Sequence, residues 1–344
     1  MMNKWKGTSI ACCFGIILMA TTARGWNLSI TFQPGGVTVP AGFVADDGSV
    51  FSDKGGIEYG WIEVGVPFGF WGLNGYHSAE GLADVQERFG AAIFQVAQGG
   101  TNYTVNTFLP MVRDAGWQVT LRLAGSHSEY TTSGSFDIDK WKTNIAQWDG
   151  SGIQEFIDDG TVAWHMILDD IANWSWLYGG TDPTGDELEE MAEYSQDILP
   201  GLKTFVREKA TAMPVPTKGY YEWVDACLNQ YKASDGDVTT YAWTEYYKAV
   251  ELHLGVMNGL NICDGGNGES GQMGWRADKY AMSANEITTY GTALLGIPDL
   301  ELFLCWEYDG EELWADGTTI GSVYFDQPEL QDALYQLSIV AAEK

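Results

Sequence analysis

Basic residues are scarce in this chain of 344 residues: 18 Lys+Arg stand against 47 Asp+Glu, for a formal net charge of −29. So negative a field repels phosphate backbones and anionic lipid surfaces, which argues against a nucleic-acid partner and leaves neutral or cationic ligands. Histidine is rarer still, four in all, so a His-rich zinc site is not expected. There are five cysteines. Cys12 and Cys13 stand near the start, and Cys227, Cys263 and Cys305 are spaced for neither a disulfide framework nor a zinc knuckle. The reading for those three is buried apolar side chains, with one disulfide left open. No G-x-S-x-G elbow, H-E-x-x-H, P-loop or G-x-G-x-x-G stands in a strand–helix context. No cofactor is implied. What the chain has in quantity is apolar and aromatic surface, 45% and 13% of residues, with 15 Trp. That excludes a disordered acidic chain and supplies a large core.

Residues 1–25 read as a secretory leader. Lys4 and Lys6 precede an apolar run from Ile10 to Ala20, and Thr21-Thr22-Ala23 ends it with small residues. The run is shorter than the roughly 20 residues that span a bilayer. A secreted or periplasmic protein, free of the membrane after cleavage, is therefore expected. Residues 26–66 are rich in glycine and β-formers, as in Ile30-Thr31-Phe32-Gln33-Pro34-Gly35-Gly36. They are expected to form a short β-rich extension. It resembles the opening strands of small β-sandwich modules attached to secreted polysaccharide-acting enzymes.

From Pro67 onward the pattern alternates. Strand-like runs are expected at 67–72, 92–97, 118–124, 162–169, 203–208, 220–226, 259–263 and 301–307. Helical patterns are expected at 79–90, 101–116, 137–148, 152–158, 186–198, 238–254, 283–295 and 329–342. Eight such units over residues 67–344 predict an α/β fold, a (β/α)8 TIM-type barrel. Period-2 alternation refines this. In 118–124, Val119, Leu121 and Leu123 should face the helices and Thr120 and Arg122 the barrel. In strand 4, Val162, Trp164, Met166 and Leu168 should face outward, and His165, Ile167 and Asp169 inward.

Barrel active sites lie at the C-terminal strand ends. The acids expected there are Asp169 and Asp170 on strand 4, Asp225 on strand 6, Asp264 after strand 7 and Glu307 on strand 8. Arg122, Trp174, Trp306 and Tyr308 accompany them. Glycosidic hydrolysis needs one carboxylic acid to protonate the leaving oxygen and a second carboxylate as nucleophile or base. Aromatic faces stack on sugar rings. The Asp169-Asp170 pair is similar to the acidic motif that ends strand 4 in many barrel glycoside hydrolases, where an acid/base carboxylate sits. That motif's usual Glu-Pro is Asp-Ile here. The resemblance implies a glycan hydrolase. Asp170 or Asp169 would be the acid/base, Glu307 or Asp264 its partner, and Arg122, Asp225, Trp174, Trp306 and Tyr308 the sugar subsite.

Each site has a plainer alternative. Asp169 or Asp170 could pair with Arg122, Asp264 before Gly265-Gly266 is a turn signal, Arg207-Glu208 reads as a salt bridge, and His165 as a core histidine. Two other functions fit the same residues. One is a non-catalytic barrel that binds glycan or builds an extracellular surface. The other is a hydrolase or lyase with a hard cation on Asp169, Asp170, Asp264 and Asn267.

Overall fold

The computed structural model describes residues 17–22, 25–30, 65–74, 78–97, 100–171, 180–309 and 324–344. The chain divides into two units, 1–58 and 59–344. In the first, Ile17–Thr22 pairs antiparallel with Gly25–Ile30, with Ile17 opposite Ile30. The rest of the expected β-rich extension, through residue 64, lies outside the described residues. Among the described residues no helix is long and apolar enough to cross a membrane.

The second unit is a closed barrel of eight parallel strands. They are β1 (Phe68–Asn74), β2 (Ile93–Ala97), β3 (Gln118–Arg122), β4 (Val162–Asp169), β5 (Lys203–Arg207), β6 (Ala226–Tyr231), β7 (Gly255–Leu260) and β8 (Leu300–Asp309). Neighbours in sequence are neighbours in the sheet, and β8 closes on β1. The expected (β/α)8 barrel is therefore the fold. Helices follow the strands where amphipathic periodicity and caps coincide. Asp137, Thr184, Asp237 and Ser283 each accept a backbone N–H at the start of Ile138–Ala146, Gly185–Ile198, Val238–Glu251 and Ala284–Leu295. Helix Ala79–Phe89 ends on Gly90 at φ 65°, where a Cβ would meet Ser338 Oγ at 2.0 Å, so only glycine fits. Between β5 and β6 a single 3-10 turn, Ala210–Ala212, replaces a helix.

Two apolar layers hold the barrel. Phe94, Val119, Leu121, Val206 and Leu260 pack outward against the helices. Ile93, Trp164, Met166, Phe205, Ala226, Leu228, Met257, Leu302 and Leu304 fill the interior. The parity expected for β3 holds: Val119, Leu121 and Leu123 pack outward.

Strand β4 departs from its expected parity. Trp164 and Met166 point inward, while His165 stacks on Trp141 of the outer helix and hydrogen-bonds Ser195 at 2.7 Å. Ile167 and Leu168 both pack outward. The register shifts between Met166 and Leu168, and this bulge restores Asp169 to the inward face. Two boundaries also move. Strand β6 begins at Ala226, not at 220, and β7 at Gly255, not at 259. The stretch before β6 is no strand because the Glu189 carboxylate accepts the N–H groups of Glu222, Trp223 and Val224. Cys227, Cys263 and Cys305 are buried and form no disulfide among the described residues.

Candidate active site

The inward residues of the lower barrel are apolar, and those nearest the C-terminal ends are not. Gln95, Arg122, Asp169, Arg207 and Gln230 form a polar layer at the mouth, with Trp71 beside them. Asp169 is 9% exposed. One of its oxygens accepts from Arg207 Nε, and the other lies 3.7 Å from Arg122 Nη1. Arg207 Nη2 reaches Asp170 at 2.6 Å, its Nη1 donates to Gln230 at 3.2 Å, and its guanidinium sits 5.2 Å over the Trp71 ring. Burial works against the charge of Arg207, but Asp169 and Asp170 hold its pKa above the ordinary arginine value. Asp170 follows β4 in the left-handed conformation, φ 52°, with its N–H on the Arg207 carbonyl. That turn sets its carboxylate apart from that of Asp169 and leaves its side chain 38% exposed.

His127 belongs to the same neighbourhood, in a short turn after β3. Burial lowers its pKa below the usual imidazole value. Asp169 and Asp170 oppose that shift, and Arg122 and Arg207 add to it.

On the other side of the mouth, Glu307 of β8 lies beside Gly72 of β1. A Cβ at Gly72 would stand 2.9 Å from Glu307 Oε1, and Gly72 has φ 68°. Glycine there makes room for the acid. Trp306 meets Trp275 edge to face at 5.8 Å and 77°. Trp275, 39% exposed, is carried by the loop after β7.

The expected acids therefore separate. Asp169, Asp170 and Glu307 lie at the C-terminal mouth. Asp264 also follows a strand, but its carboxylate is fully enclosed and accepts from Arg276 N at 3.0 Å and Arg276 Nε at 2.7 Å. It anchors a loop, as its turn sequence suggested. Asp225 is at the opposite end. It precedes β6, and its carboxylate accepts from Thr204 N at 2.7 Å at the start of β5. Expecting β6 six residues early put it on the wrong rim. Asp169, Asp170, Asp264 and Asn267 do not gather as a cation site. The first two face Arg207, and Asn267 Oδ1 accepts Glu269 N. His165, inward by the simple alternation, is outside the barrel. Trp174 lies outside the described residues, as does the side chain of Tyr308. Trp306, Arg122 and Asp169 stand where expected.

Sequence reasoning missed Gln230 and Lys232. Both follow from the Ala226/Leu228/Gln230 alternation once the strand is placed at 226–231.

No family model matches the sequence, and no curated protein sequence matches it either. Solved structures share its barrel. The FMN-binding beta-glucuronidase of Faecalibacterium prausnitzii L2-6 aligns with a TM-score of 0.52 at 13% identity, over 82% of this chain and 45% of that one. The endocellulase of Pyrococcus horikoshii aligns at 0.49 and 11%, over 80% and 93%. A GH30 endoxylanase of Clostridium papyrosolvens C71 aligns at 0.47 and 12%, over 81% and 71%. At such identities the likeness is one of fold. The barrel is of the kind seen in glycoside hydrolases, and no single family is identified.

Proposed function

We propose that this protein is a secreted hydrolase of glycosidic bonds, with Asp170 and Glu307 as its reacting carboxylates. The observation that carries the reading is how the five expected acids are used. Asp225 is at the far end, Asp264 is enclosed by Arg276, and Asp169 lies against two guanidinium groups. Asp170 and Glu307 remain at the mouth, on opposite strands of the barrel, both partly exposed. Asp170 carries a negative charge that Arg207 balances and orients, which suits a nucleophile or a base. Glu307 then gives its proton to the departing glycosidic oxygen as the bond to the anomeric carbon breaks. Water supplies the hydroxyl that replaces it, giving its proton to Asp170 or, where Asp170 has first bonded the anomeric carbon and is then displaced, to the Glu307 carboxylate. Trp306 and Trp275 offer aromatic faces to the sugars.

A second reading is a barrel that binds glycan without turnover. It is favoured by the engagement of both β4 carboxylates with Arg207.

The test is reducing-end release from a panel of polysaccharides by the full chain, Asp170→Asn and Glu307→Gln. Each substitution should lower turnover by about 10²–10⁴-fold, the scale of a lost general acid or base. Turnover that survives both refutes the residue assignment. Binding without any turnover selects the second reading.

A further inference from the structure

The chain as a whole is strongly acidic, yet several of its few cations gather at the mouth. Arg122, Arg207, Lys232 and Arg276 are four of its 18 basic residues. Arg207 is answered by Asp169 and Asp170, and Arg276 Nε by Asp264. Among the described residues, Lys232 has no such answering carboxylate. It continues β6 in an extended conformation, φ −131° and ψ 147°, so the inward alternation of Ala226, Leu228 and Gln230 carries on to it. The next residue donates its N–H to Gly265 at 2.8 Å, which brings Lys232 beside the Asp264–Arg276 loop. The nearby Asp235 carboxylate is taken by Lys209 at 2.6 Å and by the Lys232 backbone N–H. Among the described residues no carboxylate stands in ion-pair range of the Lys232 ammonium. Burial, with Arg276 and Arg207 adding to it, pushes the lysine's pKa down against the pull of Asp235 and Asp170. The Nε of Arg122 is buried and has no hydrogen-bond partner among the described residues.

We propose that the mouth recognises a sugar bearing an anionic substituent, a carboxylate or a sulfate ester, with Lys232 and Arg276 as its binding groups. This rests on the reading of the mouth as a glycan site and names the class of glycan. An anion there would meet an ammonium that no described carboxylate pairs with, and a half-exposed guanidinium already oriented through its Nε. The overall charge of −29 does not forbid it, because solvated surface acids are screened beyond about 10 Å at 0.1 M salt.

The experiment is calorimetric binding to the full chain carrying Glu307→Gln, so that turnover does not consume the probe. The probes are oligomers of polygalacturonate, alginate and glucuronoxylan, each beside its carboxyl-reduced form, and a sulfated galactan beside its desulfated form. At least one anionic probe should bind about tenfold or more tightly than its neutral counterpart, and the margin should shrink with salt. Which arm responds separates carboxylate from sulfate. Adding Lys232→Met should abolish the margin, and Lys232→Arg should keep it. Equal binding within every pair, no binding of any anionic probe, or a margin that survives Lys232→Met overturns the proposal. A preference for anionic probes in a wild-type chain without turnover would leave the proposal standing and remove only the hydrolytic reading.

Discussion

The lower barrel and its mouth are built from the same strands at alternate positions, and they obey different physics. On β5, Phe205 and Arg207 are two residues apart and both point inward. Phe205 lies in a closed apolar layer with Trp164, Met166 and Leu302. Arg207 lies in a layer of charges that compensate one another. Burying apolar area stabilises the fold directly. A buried ion pair recovers little more than its own desolvation, and apolar packing of similar volume is often as stable. A barrel that needed only stability would close its mouth as it closes its floor. The charged layer is thus not what packing alone would select.

The sharpest way to break this comparison is on β5 itself. Phe205→Ala should cost about 3–5 kcal/mol in urea denaturation, as for a large side chain lost from a core. Arg207→Met should cost less, about 1–3 kcal/mol, because Asp169 keeps Arg122 beside it and Asp170 is partly solvated. The two should part when Asp169→Asn is added, which should recover part of the Arg207→Met loss and none of the Phe205→Ala loss. Equal responses of the two variants would contradict a charged mouth.

His165 gives a graded effect outside the barrel wall. Burial lowers its pKa to about 3, below the unfolded value of about 6.5. The folded chain holds it neutral while the unfolded chain takes up a proton. Stability should therefore be full above about 6.5 and fall as pH drops towards about 3, by at most ~1.4 kcal/mol per pH unit. His165→Asn should flatten that part of the stability–pH curve, which thermal unfolding at a series of pH values measures.

The smallest effect is expected at Asp225, on the lower rim. Burial raises its pKa despite the hydrogen bonds from Thr204. A raised carboxylate pKa favours the folded state at low pH and loses that advantage as pH rises through it. Asp225→Asn should be slightly more stable than the parent at neutral pH and converge with it in acid. Unlike Asp170→Asn, it should leave glycan turnover unchanged.

Much of this contrast was readable from the sequence. Alternation of strand and helix patterns predicts the barrel, and the helical patterns over 137–148, 238–254 and 283–295 begin where the structure shows Asp137, Asp237 and Ser283 as caps. Thr239–Trp243, strand-like by composition, is helical because Val238, Tyr241 and Tyr246 recur at helical spacing. What escaped has a common cause in partners far along the chain. The bulge in β4 appears only when that strand pairs with β5, so His165 and Asp169 could not be sorted by period alone. Tyr221, Trp223 and Val224 look like a strand, but Glu189, more than thirty residues earlier, takes their segment's N–H groups. Asp225 was misplaced with them, and Lys232 was overlooked. Asp264 could not be told from a catalytic acid until Arg276 was seen across its loop.

The central claim is that the C-terminal mouth of the barrel holds the sugar. A crystal structure of the Glu307→Gln chain with an oligosaccharide that the protein binds tests it most directly. A sugar ring should lie between Asp170 and residue 307, against Trp306 and within reach of Lys232. A sugar seated elsewhere, with the mouth empty, would contradict it.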